Sequence, residues 1–205
     1  MRASDADDVH VPETTPAETQ LPSFQTTQPD QGSTRTVVRL RLAQPEDAPQ
    51  MMDLEAAVNV AALPHIFPPE QYPYPRDFVL ERWTKELQDP TFRIWVAEAT
   101  SCGETPGTPR EKRIVAYCAC CEKEGEAWLE HLGVATDLQG SGLARMLVDN
   151  ARTAYTGREV NLWVLEENRR ARRFYEREGW NVTGITMPAI YPPYPTMVRY
   201  LAPPA

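Results

Sequence analysis

The eleven residues from Val134 to Ala144, Val-Ala-Thr-Asp-Leu-Gln-Gly-Ser-Gly-Leu-Ala, have the types and spacing to hold a phosphate. Gly140 and Gly142 let the backbone turn tightly and leave bare N–H groups, and a helix beginning near Gly142 would bring its positive dipole end to the same spot. An anion fits there. A glycine pair is an unspecific signal by itself, and its meaning depends on the elements that precede and follow it.

Those elements can be read from hydrophobic periodicity. Ala127 to Val134 is a strand that delivers the chain to the turn, and Leu143, Met146, Leu147, Ala151 and Ala154 line one face of the helix behind it. Upstream, Thr36 to Leu42 alternates Val38, Leu40 and Leu42 with Arg39 and Arg41, the pattern of an amphipathic strand. Pro45-Glu46-Asp47 opens a helix carried by Met51, Leu54 and Val58, with acids in its first turn. The prolines between Leu63 and Pro75 permit no regular helix, and Asp77 to Leu87 resumes helical spacing. Strands are predicted at Phe92 to Glu98 and at Ile114 to Cys121, joined by an exposed loop at Ser101 to Glu111. A strand at Glu159 to Leu165, a helix at Asn168 to Glu178 stopped by Gly179, and strands at Trp180 to Ile185 and Thr196 to Leu201 complete the chain. The reading is a mixed α/β domain spanning residues 36–205, with about seven strands and about four helices. It follows a polar, proline-dotted segment, residues 1–35, too poor in large apolar side chains to offset the entropy of ordering, which is predicted to be a disordered tail.

Composition narrows the function classes. With 205 residues, 41% hydrophobic and 24% charged, one well-buried core is expected. A net charge of −8 lacks the basic footprint that nucleic acid or an anionic membrane surface would require, and mildly favours a cationic substrate. No apolar run approaches a membrane span and the N-terminus has no secretory pattern, so a cytoplasmic protein is expected. Cys118, Cys120 and Cys121 crowd one strand and Cys102 sits in a loop, which suits neither a disulfide framework nor a zinc knuckle. They are read as reduced, those in the strand as small core residues, and no metal site is expected.

The turn gains meaning from its continuation. After the strand at 159–165 come Asn168, Ala171, Phe174 and Tyr175, then Gly179 and Trp180. In this order the two stretches resemble the GNAT superfamily of acetyl-CoA-dependent acyltransferases, with Gln139, Gly142 and Ala144 matching the pyrophosphate loop and the later residues matching the family's second signature. The resemblance covers roughly residues 36–201. It implies a central mixed twisted sheet in which the strands at 127–134 and 159–165 splay apart, with the pantetheine arm of acetyl-CoA lying between them.

The resemblance also implies roles. Backbone contacts to the cofactor fall on Leu132 and Val134 for pantetheine and on Gln139, Gly140, Ser141, Gly142, Leu143 and Ala144 for pyrophosphate. Asn168, well suited to cap a helix, is expected to reach the pantetheine as well. Tyr175 matches the family's general acid, a phenol that protonates the departing CoA thiolate. An alkylamine acceptor is mostly protonated at neutral pH, so a base must act on it, and Glu130 or His131 is the candidate. The two are consecutive, so a regular strand would aim only one into the cleft, although a bulge would break that parity. His65, Phe67, Tyr72 and Tyr191, with Tyr74 and Tyr194, lie in proline-rich segments that could wall an acceptor pocket. The expectation is therefore an N-acetyltransferase for a small-molecule or amino-acid-like primary amine, monomeric or homodimeric. The alternatives are a protein N-terminal or lysine acetyltransferase and a non-catalytic acyl-CoA-binding sensor.

Overall fold

A computed structural model describes residues 23–26, 35–102 and 112–204. The elements run β1 (Ser23–Thr26), β2 (Arg35–Leu42), α1 (Ala48–Ala62), α2 (Arg76–Glu86), β3 (Phe92–Cys102), β4 (Lys112–Lys123), β5 (Glu126–Val134), α3 (Leu143–Ala154), β6 (Val160–Leu165), α4 (Arg169–Arg177), β7 (Asn181–Pro188) and β8 (Thr196–Ala202). From β2 onward this is the order that periodicity predicts. The eight strands form one sheet in the order β1-β2-β3-β4-β5-β6-β8-β7, antiparallel throughout except where β5 meets β6.

Two expectations are adjusted. Ser23–Thr26, inside the segment assigned to the tail, is a strand paired antiparallel with β2, adding one strand to the expected seven. Pairing with an open sheet edge satisfies backbone donors and acceptors without needing large apolar side chains, so hydrophobicity gave no sign of it. Residues 1–22 and 27–34 lie outside the described residues, as does most of the expected loop after β3, whose first residues Ser101 and Cys102 instead prolong that strand. The prediction of a helix opening at Pro45 is also refined. Residues 45–47 form a 3-10 turn and α1 starts at Ala48, while Asp47 folds back to accept the Gln44 amide (2.7 Å) and the Arg41 guanidinium (2.6 Å).

Side-chain alternation along β4 separates the layers. Tyr117 stands edge-on against Trp83 of α2 (centroids 5.3 Å), whereas Cys118 and Cys120 lie beside Tyr175 of α4. The core fills both sides with Met51, Trp83, Leu143, Leu147, Leu162, Trp180 and Tyr200, all essentially without solvent contact. Burying each such aliphatic side chain contributes about 1.5–3 kcal/mol, which docks α1 and α3 onto the central strands and α2 against α1. Cys118, Cys120 and Cys121 are free thiols within this core. No helix among the described residues is long and apolar enough to cross a membrane.

Candidate functional site

The site begins where the sheet stops pairing. β5 and β6 are in parallel register only at Ala127↔Val160 and Trp128↔Asn161. Both strands continue, β5 to Val134 and β6 to Leu165, with no further register between them. β5 stays paired with β4 along this length, through Leu132↔Cys118 and Val134↔Ala116, so only its β6 side opens. The result is a wedge between β5 and β6, with an exposed strand edge that an extended ligand can join by main-chain hydrogen bonds.

At the wide end of the wedge, residues 136–138 make a 3-10 turn and α3 begins after Gly142. Gly140 and Gly142 have φ of +87° and +91°, conformations that an L side chain rarely adopts. They allow the chain to reverse so that the amides of Gly140, Gly142, Leu143, Ala144 and Arg145 have no backbone acceptor among the described residues. Leu143 is fully buried and pins the helix start in place. No acidic residue sits in the first turn of α3, so the helix dipole and the free amides act together on an anion. Gln139 does not extend toward that space. Its side-chain amide donates to the Val134 carbonyl (3.2 Å), tying the turn to the end of β5, while Ser141 is exposed.

Across the wedge, Asn168 caps α4 by accepting the Ala171 amide (3.1 Å). This fixes the helix that carries Tyr175. The Tyr175 ring is buried against Phe174 (5.2 Å), Trp180 (5.4 Å) and Tyr200 (6.4 Å), and its hydroxyl makes no hydrogen bond among the described residues. Burial, with Cys118 and Cys120 close by, pushes the phenol well above its ordinary range, so it stays protonated. Among the α4 arginines, Arg172 is tied to the Tyr200 hydroxyl (2.9 Å) and the Glu166 carbonyl (3.1 Å), whereas Arg169, Arg170 and Arg173 are exposed.

The other side of the wedge is set by a bulge. β4 pairs Ala119 with His131 but Cys120 with Leu129, so Glu130 is an extra residue on β5. The bulge cancels the alternation of the strand and turns both Glu130 and His131 toward the α2 layer. Glu130 Oε1 accepts from Lys123 Nζ (2.8 Å) and lies 3.6 Å from Cys121 Sγ. His131 Nε2 meets the Arg82 guanidinium and lies 3.1 Å from Glu86 Oε1, and its ring packs edge-on against Trp83 (4.9 Å). Arg82 in turn donates to Glu55 Oε2 (2.5 Å), and Tyr74 donates to Glu55 Oε1 (2.8 Å).

The predicted acceptor residues divide. Tyr191 packs edge-on against Phe78 of α2 (5.8 Å), and its hydroxyl is raised by burial, with Arg82 opposing and Glu55 and Glu86 adding to the shift. It therefore borders the charged cluster. His65 is instead exposed, with Nε2 3.4 Å from the Glu167 carbonyl at the β6–α4 junction. Phe67 and Tyr72 are half-buried in the same α1–α2 connection. Tyr194 is 60% exposed.

Sequence reasoning missed Glu55, Arg82 and Glu86, because an Arg–Glu pair four apart on a helix reads as a solvated face. It also missed Gly133. A Cβ there would fall 2.5 Å from Tyr117 Oη and 2.6 Å from its Cε1, so the missing side chain is what lets Tyr117 cross beneath β5. An isolated glycine in a strand is the one available signal.

Residues 90–182 match the model of the acetyltransferase (GNAT) domain. The chain is 25% identical over 152 residues to a probable N-acetyltransferase of Mycobacterium tuberculosis, covering 73% of this chain and 83% of that one. In fold it is similar to the ribosomal-protein-S18-alanine N-acetyltransferase of Escherichia coli, with a TM-score of 0.58, 16% identity and coverage of 81% of this chain and 93% of the other. It is also similar to the PaiA N-acetyltransferase of Thermoplasma acidophilum in complex with coenzyme A, with a TM-score of 0.54, 13% identity and coverage of 79% and 97%.

Proposed function

Taking the chain as an acetyltransferase of the GNAT superfamily, we propose that it transfers an acetyl group from acetyl-CoA to a primary amine of a small-molecule or amino-acid-like acceptor, within a ternary complex. The observation that carries this reading is the wedge between β5 and β6 ending at five free amides before α3. Those amides, from Gly140 to Arg145, hold the diphosphate. The open edge of β5 at Leu132 and Val134 takes the pantetheine arm, and Asn168 borders it from the start of α4.

The thioester then lies between two chemically different faces. On the α2 face, Glu130 takes the proton from the ammonium of the acceptor. Its Oε2 has no partner among the described residues, whereas His131 Nε2 is already engaged. The neutral nitrogen attacks the thioester carbonyl carbon, a backbone amide of β5 near Val134 steadies the oxyanion, and collapse breaks the C–S bond. On the α4 face, Tyr175 gives its proton to the departing thiolate, and the second proton released by the nitrogen as the amide forms restores the phenol. Burial holds that proton on the phenol until a base appears, and a thiolate formed in the same apolar surroundings is equally disfavoured there. Tyr191, Phe78 and Tyr74 wall the acceptor side and support a compact amine over an extended peptide.

The test is a thermal melt with acetyl-CoA followed by a thiol-release assay over amines, amino acids and peptides. A ligand at a hundred times its Kd stabilises the folded state by about 2.7 kcal/mol, so a clear rise in Tm is expected. A Tm unmoved by acetyl-CoA would overturn the cofactor assignment, and release only with peptides would overturn the acceptor class.

A further inference from the structure

Tyr117 carries a hydroxyl that the reaction above leaves without a role. The residue is 3% exposed, and its ring stands edge-on against Trp83 (5.3 Å) on the α2 side of β4. The far end of the ring, Cζ, Oη and Cε1, occupies the place where a Cβ on Gly133 would stand. Oη makes no hydrogen bond among the described residues, although buried polar atoms are as a rule paired, with protein, water or ligand.

Strand pairing sets where this hydroxyl stands. Ala135 donates to the Val115 carbonyl (2.8 Å), and alternation along an antiparallel pair then makes Gly133↔Tyr117 the bonded pair and turns the main-chain groups of Leu132 and Val134 away from β4. The Val134 carbonyl bears this out by accepting the Gln139 side-chain amide (3.2 Å). Tyr117 Oη therefore lies between the two residues whose main chain lines the wedge, on the side of Glu55, Tyr74 and Arg82. Burial, and then Glu55 and Tyr74, push the phenol well above its ordinary range against the opposing Arg82, and Tyr175 from the other layer adds to the rise. The hydroxyl stays neutral, with one proton and two lone pairs.

We propose that Tyr117 is a specificity-determining residue for the acceptor: its hydroxyl, laid across Gly133, accepts one N–H of the attacking nitrogen and thereby selects primary over secondary amines. Of the two N–H bonds on a neutral primary amine, one is lost as the amide forms and the other survives in the product. Tyr117 holds the survivor, which leaves the nitrogen lone pair free to face the thioester carbon. In a secondary amine a carbon substituent takes the place of that N–H, is pressed against the hydroxyl and leaves it unpaired. The proposal rests on the reading of the chain as an acetyltransferase for a small amine.

The test compares the wild type with Tyr117→Phe, which keeps the ring over Gly133 and against Trp83 and strands no partner. Thiol release is measured with 2-phenylethylamine, cadaverine and alanine, each beside its N-methyl derivative. The wild type should favour the primary member of a pair by at least about tenfold in kcat/KM, and Tyr117→Phe should lose about three- to tenfold on the primary amine alone, with the KM for acetyl-CoA unchanged. Calorimetry on the CoA-bound protein, which needs no turnover, should show the same about three- to tenfold weakening of 2-phenylethylamine binding. Gly133→Ala, which pushes the ring aside, should lower the same primary-to-secondary ratio and keeps the question open to measurement if Tyr117→Phe does not fold. Equal wild-type rates within every pair, a ratio that neither variant changes, or a loss shared equally by both members would overturn the proposal. Failure of the parent reading would appear separately, as no acetyl-CoA thermal shift or as thiol release with peptides alone, and would take this inference with it.

Discussion

Replacing Tyr175 with phenylalanine separates chemistry from packing. The ring contacts with Phe174, Trp180 and Tyr200 at 5.2–6.4 Å survive the change. The hydroxyl bonds no described group, so its removal strands no partner, and the stability change should stay within about 1 kcal/mol. For a chain of this size that is a Tm shift of under about 4 °C. Loss of a general acid, by contrast, costs about 10²–10⁴ in rate, or roughly 2.7–5.5 kcal/mol of barrier. The assay is steady-state thiol release at saturating acceptor, with the acetyl-CoA thermal shift measured in parallel. The expected result is a kcat lower by at least about a hundredfold, an unchanged acetyl-CoA thermal shift and a Tm within about 4 °C of the wild type. A variant that turns over at the wild-type rate would show Tyr175 to be a core residue alone. One that loses acetyl-CoA binding would show that the hydroxyl shapes the wedge and does not move a proton.

Two further outcomes follow from the fold. Gly133→Ala forces a methyl group into the Tyr117 ring and should cost about 1–3 kcal/mol by overpacking, read as a lower urea midpoint. A Gly133→Ala/Tyr117→Leu double variant should recover part of that loss, and simple additivity would refute the contact. Burial would raise the Asp47 carboxyl, but the Arg41 guanidinium and the Gln44 amide outweigh it and hold it below its usual range. A depressed folded-state pKa contributes stability above the unfolded-state value, and that stability is lost as pH falls through the folded value. Asp47→Asn should therefore cost about 1.5–3 kcal/mol at pH 7, with the gap to wild type closing below about pH 4. A gap independent of pH in urea unfolding would sink this account.

The order of elements was readable because each depends on local periodicity. Val38 and Leu40 in β2, Leu143, Leu147 and Ala151 in α3, and Val160, Leu162 and Val164 in β6 are buried on the faces that their spacing predicts. The turn at Gly140 and Gly142 and the cap at Asn168 were also readable, since backbone conformation and capping depend on the residue at the position itself. Two side-chain placements were not readable in advance: Gln139 bends back to the Val134 carbonyl, five residues earlier, and His65 lies beside Glu167, 102 residues further along the chain.

The sequence alone determined the succession of strands and helices and the place of the amide-rich turn, and it put forward Glu130, His131 and Tyr175 as candidates to move protons. Only the tertiary structure decided which of them share a face. A single inserted residue on β5, detectable only against its register with β4, turns Glu130 and His131 to the same side. The packing of α1 and α2 then brings Glu55, Arg82 and Glu86, charges that would otherwise be solvated, against that imidazole. Side-chain periodicity is a property of one segment, whereas a hydrogen bond between strands or helices depends on how separate segments align, and no local pattern encodes that alignment.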